Sequence, residues 1–403
     1  MITLKFSIAF IIAVILLILR QEIWVVIATL SIVTPIIFKF TPHIIFRSFY
    51  KGALGYSTIH LIIVVWLIIS FGEALYRSGY LAQFVESVEG LFKDLRVAFV
   101  IPSMIIGLLP MPSGAMLSAP LAEEIGRKMS LSAEDLTFFN YWFRHIWEYT
   151  WPLYPGLILT SAITGIPIWK VGIHQLPMVI ISAATGFFIL FWRLPFFSLS
   201  NGESVNRKEK FMKFLMVLWP IYLIILLVLV IRIDLVIGLA IVLVTLFVSK
   251  RFSLPDIGGS LRKGLSWKIF LILVFVMIFK KELQLSGVLN HLPDEMVGWG
   301  LSPLIPIILI PFLIGFLTGV NSAYIGVAFP VLLGFLGNNL NYVFIGYVSG
   351  FMGILLSPAH LCLAVTKTYF RADTIKLYRI LLPSVIALYS LFWLYMGFVR
   401  FVV

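Results

Sequence analysis

The sequence predicts an all-α polytopic membrane protein made of two inverted repeats, each with five spans and one re-entrant hairpin. Three observations lead to this fold class. Of 403 residues, 61% are hydrophobic and only 12% are charged, whereas soluble domains have about 45–50% apolar and about 25% charged residues. The same succession of apolar segments occurs twice along the chain. Lys and Arg are also divided unevenly between alternate loops.

Composition excludes several classes of protein. A soluble enzyme of this size has too much surface to cover with so few charges. An outer-membrane barrel has short segments of alternating polarity, but here the apolar runs are continuous, as in Phe6–Leu19. The net charge of +12 is typical of cytoplasmic loops that meet anionic lipid, and we expect no nucleic-acid partner. Cys362 is the only cysteine, so no disulfide framework and no cysteine-based metal site are expected.

Short matches in a fixed order indicate the repeat. They are Lys51-Gly52 with Lys263-Gly264, Ser78-Gly79 with Ser286-Gly287, Ile101-Pro102 with Ile310-Pro311, and Pro112-Ser113 with Asn321-Ser322. We therefore divide the chain into a first repeat, 1–192, a hydrophilic cytoplasmic linker, 193–211, and a second repeat, 212–403.

Each repeat is predicted to contain the same elements in the same order. Three spans come first (4–19, 23–38, 53–72; then 212–230, 234–249, 266–281), followed by an amphipathic interfacial segment (73–96; 282–299). A hairpin of two half-length pieces follows (97–128; 300–337), then a span interrupted by proline in its middle (134–164; 340–369) and a last span (170–192; 376–398). Because the broken pieces are too short to cross twice, each half crosses an odd number of times, and the second half is inverted.

Charge supports this topology. With the linker placed in the cytoplasm, 20 of the 30 Lys and Arg residues lie on the cytoplasmic side and nine on the other, as the positive-inside rule requires. The prediction is a multi-pass protein of the cytoplasmic (inner) membrane with both termini outside.

This organisation resembles the ion transporter superfamily, since inverted repeats with interrupted helices are typical of secondary transporters. Within it the chain is similar to an uncharacterised bacterial and archaeal integral-membrane family related to dicarboxylate/sodium symporters, the large subunits of tripartite carboxylate transporters, and gluconate permeases. The resemblance implies an elevator mechanism, in which hairpins and interrupted spans form a mobile transport domain. The first spans (1–72 and 212–281) would form a scaffold that dimerises.

The resemblance also implies roles for the hairpin tips, because Ser-Asn-Thr tips in characterised members bind sodium and the substrate carboxylate. The second tip, Thr318-Gly319-Val320-Asn321-Ser322, is close to that pattern. The first tip, Pro110-Met111-Pro112-Ser113-Gly114, departs from it because it has no Asn or Thr.

The residues themselves point to the same places. Broken backbone within a membrane must be buried or line a cavity, and helix N-termini after such breaks suit anions. A plain proline or glycine kink is the structural alternative, and for His360 a structural hydrogen bond. The candidate substrate- and ion-binding residues are Pro112, Ser113, Gly114, Thr150, Thr318, Gly319, Asn321, Ser322, Ser357 and His360.

Arg144, His145 and Glu148 are the candidates for coupling. Glu148 is the only acid well inside a predicted span, where charged residues are costly and tend to be functional. Arg144 and Glu148 are spaced to pair on one helix face, so a structural ion pair is one interpretation. In the other, His145 or Glu148 carries a proton, or Glu148 lies near a cation.

The predicted function is secondary active transport of a small organic anion, a carboxylate above all, coupled to Na⁺ or H⁺. The expected partners are that anion, membrane lipid and a second copy of the chain. No catalytic motif is present, so we expect no enzyme activity, no metal and no cofactor beyond the coupling ion. Two alternatives stay open: an intramembrane enzyme or lipid-intermediate translocase that uses Glu148 and His145 as acid and base, and the membrane subunit of a binding-protein-dependent transporter.

Overall fold

The chain is an all-helical protein with many apolar helices, as the composition predicts. The structure is a computed structural model that describes all residues except 1, 81–82, 84–86, 88–91, 93, 109–113, 198–206, 299, 301 and 403. Helices account for 83% of the structure, and the described residues contain no strand. The tip residues Pro112 and Ser113 lie outside the described residues.

The helices are numbered here in chain order. In the first half they are α1 Ile2–Ile18, α2 Ile23–Phe38, α3 Pro42–Leu54, α4 Tyr56–Arg77, α5 Leu95–Ile106, α6 Gly114–Lys128, α7 Ala133–Arg144, α8 Pro155–Thr164 and α9 Ile168–Arg193. In the second half they are α10 Arg207–Val217, α11 Trp219–Ile224 with a π-helical continuation Ile225–Val230, α12 Leu235–Ser249, α13 Leu254–Lys263, α14 Trp267–Leu285, α15 Val288–Gly298, α16 Leu304–Thr318, α17 Asn321–Leu336, α18 Leu340–Leu356, α19 Leu361–Phe370 and α20 Thr374–Val402.

Few of these helices could cross a membrane unaided. By length and composition, four continuous or nearly continuous segments of the described chain qualify, or five if the pair α10 and α11, bent by 50°, counts as one span. Seven more apolar helices have 10–17 residues, less than the roughly 20 residues that a span needs. The ten crossings predicted from the sequence therefore stay a prediction.

Two short helices, α3 and α13, were not anticipated. Each begins where a proline stands in the first turn, a position that suits proline because its missing N–H would be unpaired there anyway. In α13 the Ser253 hydroxyl also accepts from the backbone N–H of Asp256. Because these helices are short and amphipathic, hydropathy alone did not separate them from loops.

Left-handed backbone positions recur at the spacing expected for a repeat. Ten residues with positive φ form five pairs that are 206–212 residues apart: Arg20 and Arg232, Lys39 and Arg251, Gly79 and Gly287, Ser130 and Gly337, and Gly165 and Arg371. All lie at or just beyond a helix end, where an αL residue commonly terminates a helix. The two halves thus stop their helices at corresponding places.

The chain divides into two compact units, and neither unit is one sequence half. Unit 1 comprises Met1–Trp66, Tyr154–His174 and Leu265–His360, and unit 2 comprises Leu67–Leu153, Gln175–Gly264 and Leu361–Val403. The hairpin α16–α17 belongs to unit 1, and the hairpin α5–α6 belongs to unit 2.

In unit 1 the hairpin helix α16 packs against α18, and α17 packs against both α18 and α8. Glycines allow α16 and α18 to approach closely. A Cβ on Gly315 would lie 2.2 Å from the Gly350 carbonyl oxygen, and a Cβ on Gly353 would lie 2.2 Å from the Phe312 carbonyl oxygen. Small residues that let two backbones meet in this way are typical of membrane helix pairs.

In unit 2 the equivalent packing uses the other set of helices. Here α5 packs against α6 and α7, and α19 packs against α6 and α7. Each unit therefore combines one hairpin with the first helix of its own interrupted span and the second helix of the other interrupted span. In both units the helices of a hairpin therefore pack against helices of the interrupted spans.

Candidate functional site

The second hairpin turns in unit 1 at a single left-handed residue. Helix α16 ends at Thr318, Gly319 has φ +62°, and α17 begins at Asn321 after the extended Val320. The Thr318 hydroxyl donates to the Ile314 carbonyl (2.7 Å) and accepts from the Val320 N–H (3.3 Å). Thr318 thus stabilises the turn by local side-chain bonds of the kind that compete with helix continuation.

His360 holds this tip from the break in the second interrupted span. Its Nδ1 donates to the Gly319 carbonyl oxygen at 2.5 Å, so in the neutral imidazole the lone pair is on Nε2. A Cβ on Gly319 would lie 2.5 Å from the His360 backbone nitrogen, which leaves room only for glycine. Two predicted site residues, Gly319 and His360, are therefore in direct contact.

Ser357 shapes that break. It is fully buried, ends α18 in an extended conformation and accepts from the Ala359 N–H through its hydroxyl (3.2 Å). The His360 N–H donates to the Ser357 carbonyl (3.2 Å). The break is thus a compact turn that presents His360 to the hairpin.

Asn321 lies where α17 meets the start of α8. Its Nδ2 donates to the Tyr347 hydroxyl at 3.4 Å, and a Cβ on Gly156 would lie 2.1 Å from its Oδ1. Gly156 stands in the first turn of α8, whose N-cap residue Tyr154 makes no side-chain cap bond. An amide oxygen beside a helix N-terminus is a favourable arrangement. Tyr347 and Gly156 were not anticipated as neighbours of this tip.

The first interrupted span breaks in unit 2 at the predicted coupling residues. Helix α7 ends at Arg144, and residues 145–150 form turns. Arg144, His145 and Glu148 are only 3%, 1% and 6% exposed. The His145 Nδ1 donates to the Tyr141 carbonyl (2.6 Å), and its Nε2 lies 3.7 Å from the Glu148 carboxylate. Glu148 therefore lies in a break rather than on a helix face.

Arg144 also meets the first hairpin. Gly107 stands just after α5, and a Cβ there would lie 2.3 Å from the Arg144 carbonyl oxygen. Gly114 is the first residue of α6, and a Cβ there would lie 2.6 Å from the guanidinium Nη2 of Arg144. Both glycines thus allow Arg144 to approach the hairpin backbone. Thr150 is buried at the end of the same break. Arg144 is thus a buried cation beside Gly107 and Gly114 of the first hairpin, whereas an imidazole lies beside Gly319 of the second.

Two polar contacts that the sequence did not suggest join α5 to the interrupted span. The buried Ser103 hydroxyl donates to the Asn140 Oδ1 at 2.6 Å, and the Trp147 indole N–H donates to the Met104 carbonyl at 2.7 Å. The position of Asn140, an amide within an otherwise apolar part of α7, could have indicated that a polar partner lies opposite it. These bonds fix α5 against the residues around Arg144.

Unit 1 and unit 2 each contain a cavity, and the two cavities differ in the polarity of their lining residues. In unit 1 a cavity of about 240 Å³ is lined almost wholly by apolar side chains of α1, α15, α16 and α17, which does not suit an anion. In unit 2 a cavity of about 400 Å³ is lined by Ser132, Ile380 and four charged residues: Glu134, Arg193, Lys376 and Arg379. Arg193 is also hydrogen-bonded to Asp135. Because Arg193 is paired with Asp135 and Glu134 offsets a second cation, this cavity has only a small excess of positive charge.

A family model described as "Protein of unknown function (DUF401)" matches residues 3–399. The chain belongs to this family. Its match extends over both hairpins and both interrupted spans of the DUF401 chain. None of the curated proteins searched matches the chain.

In chemical terms, the DUF401 chain has two buried polar clusters, one in each unit. The cluster in unit 2 contains a guanidinium, an imidazole and a carboxylate. The cluster in unit 1 contains an imidazole of fixed tautomer, an amide and hydroxyls. Guanidinium, amide and hydroxyl groups bind carboxylates, whereas carboxylate, carbonyl and hydroxyl oxygens bind a hard cation.

Proposed function

We propose that this protein is a secondary active transporter that moves a small organic anion, a carboxylate above all, across the cytoplasmic membrane with Na⁺ or H⁺ as coupling ion. One observation carries the proposal: each hairpin contacts the break of an interrupted helix through glycine backbone, Gly319 with His360 and Gly114 with Arg144. Irregular backbone of this kind lies at the binding sites of secondary transporters.

The inverted repeat is part of the proposal. It is supported by the order of the helices, by the five pairs of left-handed residues at spacings of 206–212, and by the matching composition of the two units. On this basis the hairpins and interrupted spans move as a transport domain by an elevator mechanism, and the first spans of each half form a dimeric scaffold.

Arg144 supplies the positive charge for the substrate in this scheme. Its guanidinium is buried beside Gly114, and guanidinium groups bind carboxylates with two parallel hydrogen bonds. Asn321 and Ser322 bind substrate or the cation at the second tip, and Glu148 with His145 takes part in coupling.

A thermal-shift screen tests the proposal directly. The purified protein is heated with mono-, di- and tricarboxylates, phosphate and sulfate, each with and without sodium and at several pH values. A ligand that binds the folded state raises the unfolding temperature by mass action. We expect a carboxylate to do so in a sodium- or pH-dependent manner, and the Arg144→Gln variant to lose the shift.

Uptake into proteoliposomes then separates transport from the alternatives. A transporter accumulates the stabilising carboxylate inside sealed vesicles under an ion gradient. Binding without accumulation, even when a periplasmic extract is added, would reject the transport proposal. A chemically altered carboxylate or lipid would instead favour the intramembrane enzyme, in which His145 and Glu148 act as acid and base.

A further inference from the structure

Glu282, near the C-terminal end of α14, is a buried carboxyl group that neither polar cluster uses. Its side chain is 0% exposed. Neither carboxylate oxygen has a hydrogen-bond partner among the described residues. The sequence placed it at the start of an interfacial segment, where contact with water was expected. Such burial of an acid has a strong energetic consequence.

An ionised carboxylate that is buried without a hydrogen bond or a counter-charge is very unfavourable, so such a group keeps a proton or acquires a cation. Neither neighbouring lysine supplies the counter-charge: Lys281 is not bonded to either Glu282 oxygen, and Lys280 is engaged elsewhere. It is also buried, but its ammonium group donates to the Ala162 carbonyl at 2.6 Å, near the C-terminal end of α8, where a cation is favourable.

The helices packed against α14 offer no counter-charge either. These helices are α2, α3, α15 and α17. α2 has no titratable residue. Their titratable residues are His43, Arg47, Tyr50 and Lys51 on α3, His291, Asp294 and Glu295 on α15, and Tyr324 on α17.

Each of these groups is directed elsewhere. The four on α3 are exposed, as are His291 and Asp294. Glu295 accepts from the backbone N–H of Thr3, and the Tyr324 hydroxyl donates to the Tyr347 carbonyl. Within the described residues, no side chain therefore supplies Glu282 with a counter-charge, which favours the protonated carboxyl.

The equivalent position in the first half of the chain holds no carboxyl group. At the offset of 208 that aligns Ser78-Gly79 with Ser286-Gly287, Glu282 corresponds to Ala74 and Lys280 to Gly72. Ala74 is likewise fully buried. A small apolar residue therefore fills the equivalent position, and the carboxyl is an addition specific to the second half.

We propose that Glu282 is a proton-binding site of unit 1, and that its proton is the coupling ion of the transporter. The second part rests on the proposed function, whereas the first stands without it. A carboxyl that is neutral when buried and ionises when its surroundings change would bind and release one proton in each cycle.

Infrared spectroscopy of the purified protein tests the proton site. At neutral pH we expect a C=O stretching band of a protonated carboxyl, which Glu282→Gln and Glu282→Ala remove. Glu73→Gln is the matched control, because the Glu73 carboxylate near the end of α4 accepts from the Arg77 Nε (2.8 Å) and so has the counter-charge that Glu282 lacks. A spectrum without this band, or one in which both Glu282 variants retain it, overturns the proposal.

The pH dependence of thermal unfolding gives a second readout. A group that is neutral in the folded state and ionised when unfolded stabilises the protein less as pH rises. We therefore expect the unfolding temperature of the wild type to fall towards alkaline pH relative to that of Glu282→Gln. Parallel curves for the two proteins would contradict a buried proton.

The coupling role is tested with succinate in proteoliposomes. A proton gradient should drive succinate accumulation in the wild type and not in Glu282→Gln, whereas exchange of internal for external succinate, which needs no net proton transfer, should persist in the variant. Loss of exchange as well, or retained proton-driven accumulation, overturns the coupling role. If the wild type neither accumulates nor exchanges succinate, both succinate transport and the coupling role of Glu282 are rejected. The infrared band then tests the proton-binding site independently.

Discussion

The contact between Gly319 and His360 allows a quantitative test of how the second hairpin tip is held. In Gly319→Ala the new Cβ would lie 2.5 Å from the His360 nitrogen, 2.6 Å from its Cα and 2.9 Å from the Ala359 carbonyl carbon. All three are backbone atoms, so rotation of a side chain cannot relieve the clash. The substitution must move the break in the second interrupted span or the tip itself.

Gly165→Ala is the matched control. Gly165 has φ +79° and ends α8, as Gly319 with φ +62° ends α16, but no atom lies within 4 Å of the position of its Cβ. A left-handed alanine costs about 1–2 kcal/mol in either place. Overpacking adds about 1–3 kcal/mol, and only at Gly319. We thus expect a loss of about 1–2 kcal/mol for Gly165→Ala and about 2–5 kcal/mol for Gly319→Ala.

The assay is thermal unfolding of both purified variants, followed by carboxylate binding under the same conditions. Gly319→Ala should unfold at the lower temperature and lose the carboxylate-induced shift, because the His360 hydrogen bond to the Gly319 carbonyl is displaced. Gly165→Ala should keep that shift. Equal unfolding temperatures and equal ligand shifts in the two variants would refute the reasoning.

Three other predictions concern the first hairpin and its interrupted span. Ser103→Ala removes the partner of the buried Asn140 Oδ1 and should cost about 1–3 kcal/mol; an unchanged unfolding temperature would show that the bond contributes nothing. If Glu148 carries a proton besides the one on Glu282, Glu148→Gln should change the pH dependence of uptake in proteoliposomes, and an unaltered pH profile would exclude Glu148 as a proton carrier. A hydrogen bond from Arg127 lowers the pKa of Glu123 in the folded protein. The ionised Glu123 therefore stabilises the fold at pH values above its pKa in the unfolded chain, and this stabilisation is lost as the pH falls through its pKa in the folded protein. Glu123→Gln should accordingly lower the unfolding temperature at neutral pH but not in acid, and an equal effect at both pH values would contradict this.

The breaks were predictable from the sequence because their causes are local. Proline removes a donor and clashes with the preceding turn, and glycine takes up left-handed conformations without a Cβ penalty. Gly319 indicated the second tip, and the proline within the predicted interrupted span 340–369, Pro358, indicated the second break. In the structure α16 ends at Thr318 and α18 ends at Leu356.

The partners of these breaks were not predictable, since they depend on which helices pack together. Spacing suggested that Arg144 and Glu148 share a helix face. The helix ends at Arg144 instead, and Gly107 and Gly114 lie against that residue. Hydropathy likewise gave no sign that the Asn140 amide meets Ser103.

Glu282 shows the same limit most clearly. By itself, the sequence determined a membrane protein, its two series of apolar segments and the places where the backbone breaks, because composition, hydrophobic length and proline and glycine act through neighbouring residues. Only the tertiary structure decided that Glu282 is buried, that His360 bonds to Gly319, and that each unit takes helices from both halves of the chain. Burial and hydrogen bonding depend on residues far away in sequence, which no local pattern encodes.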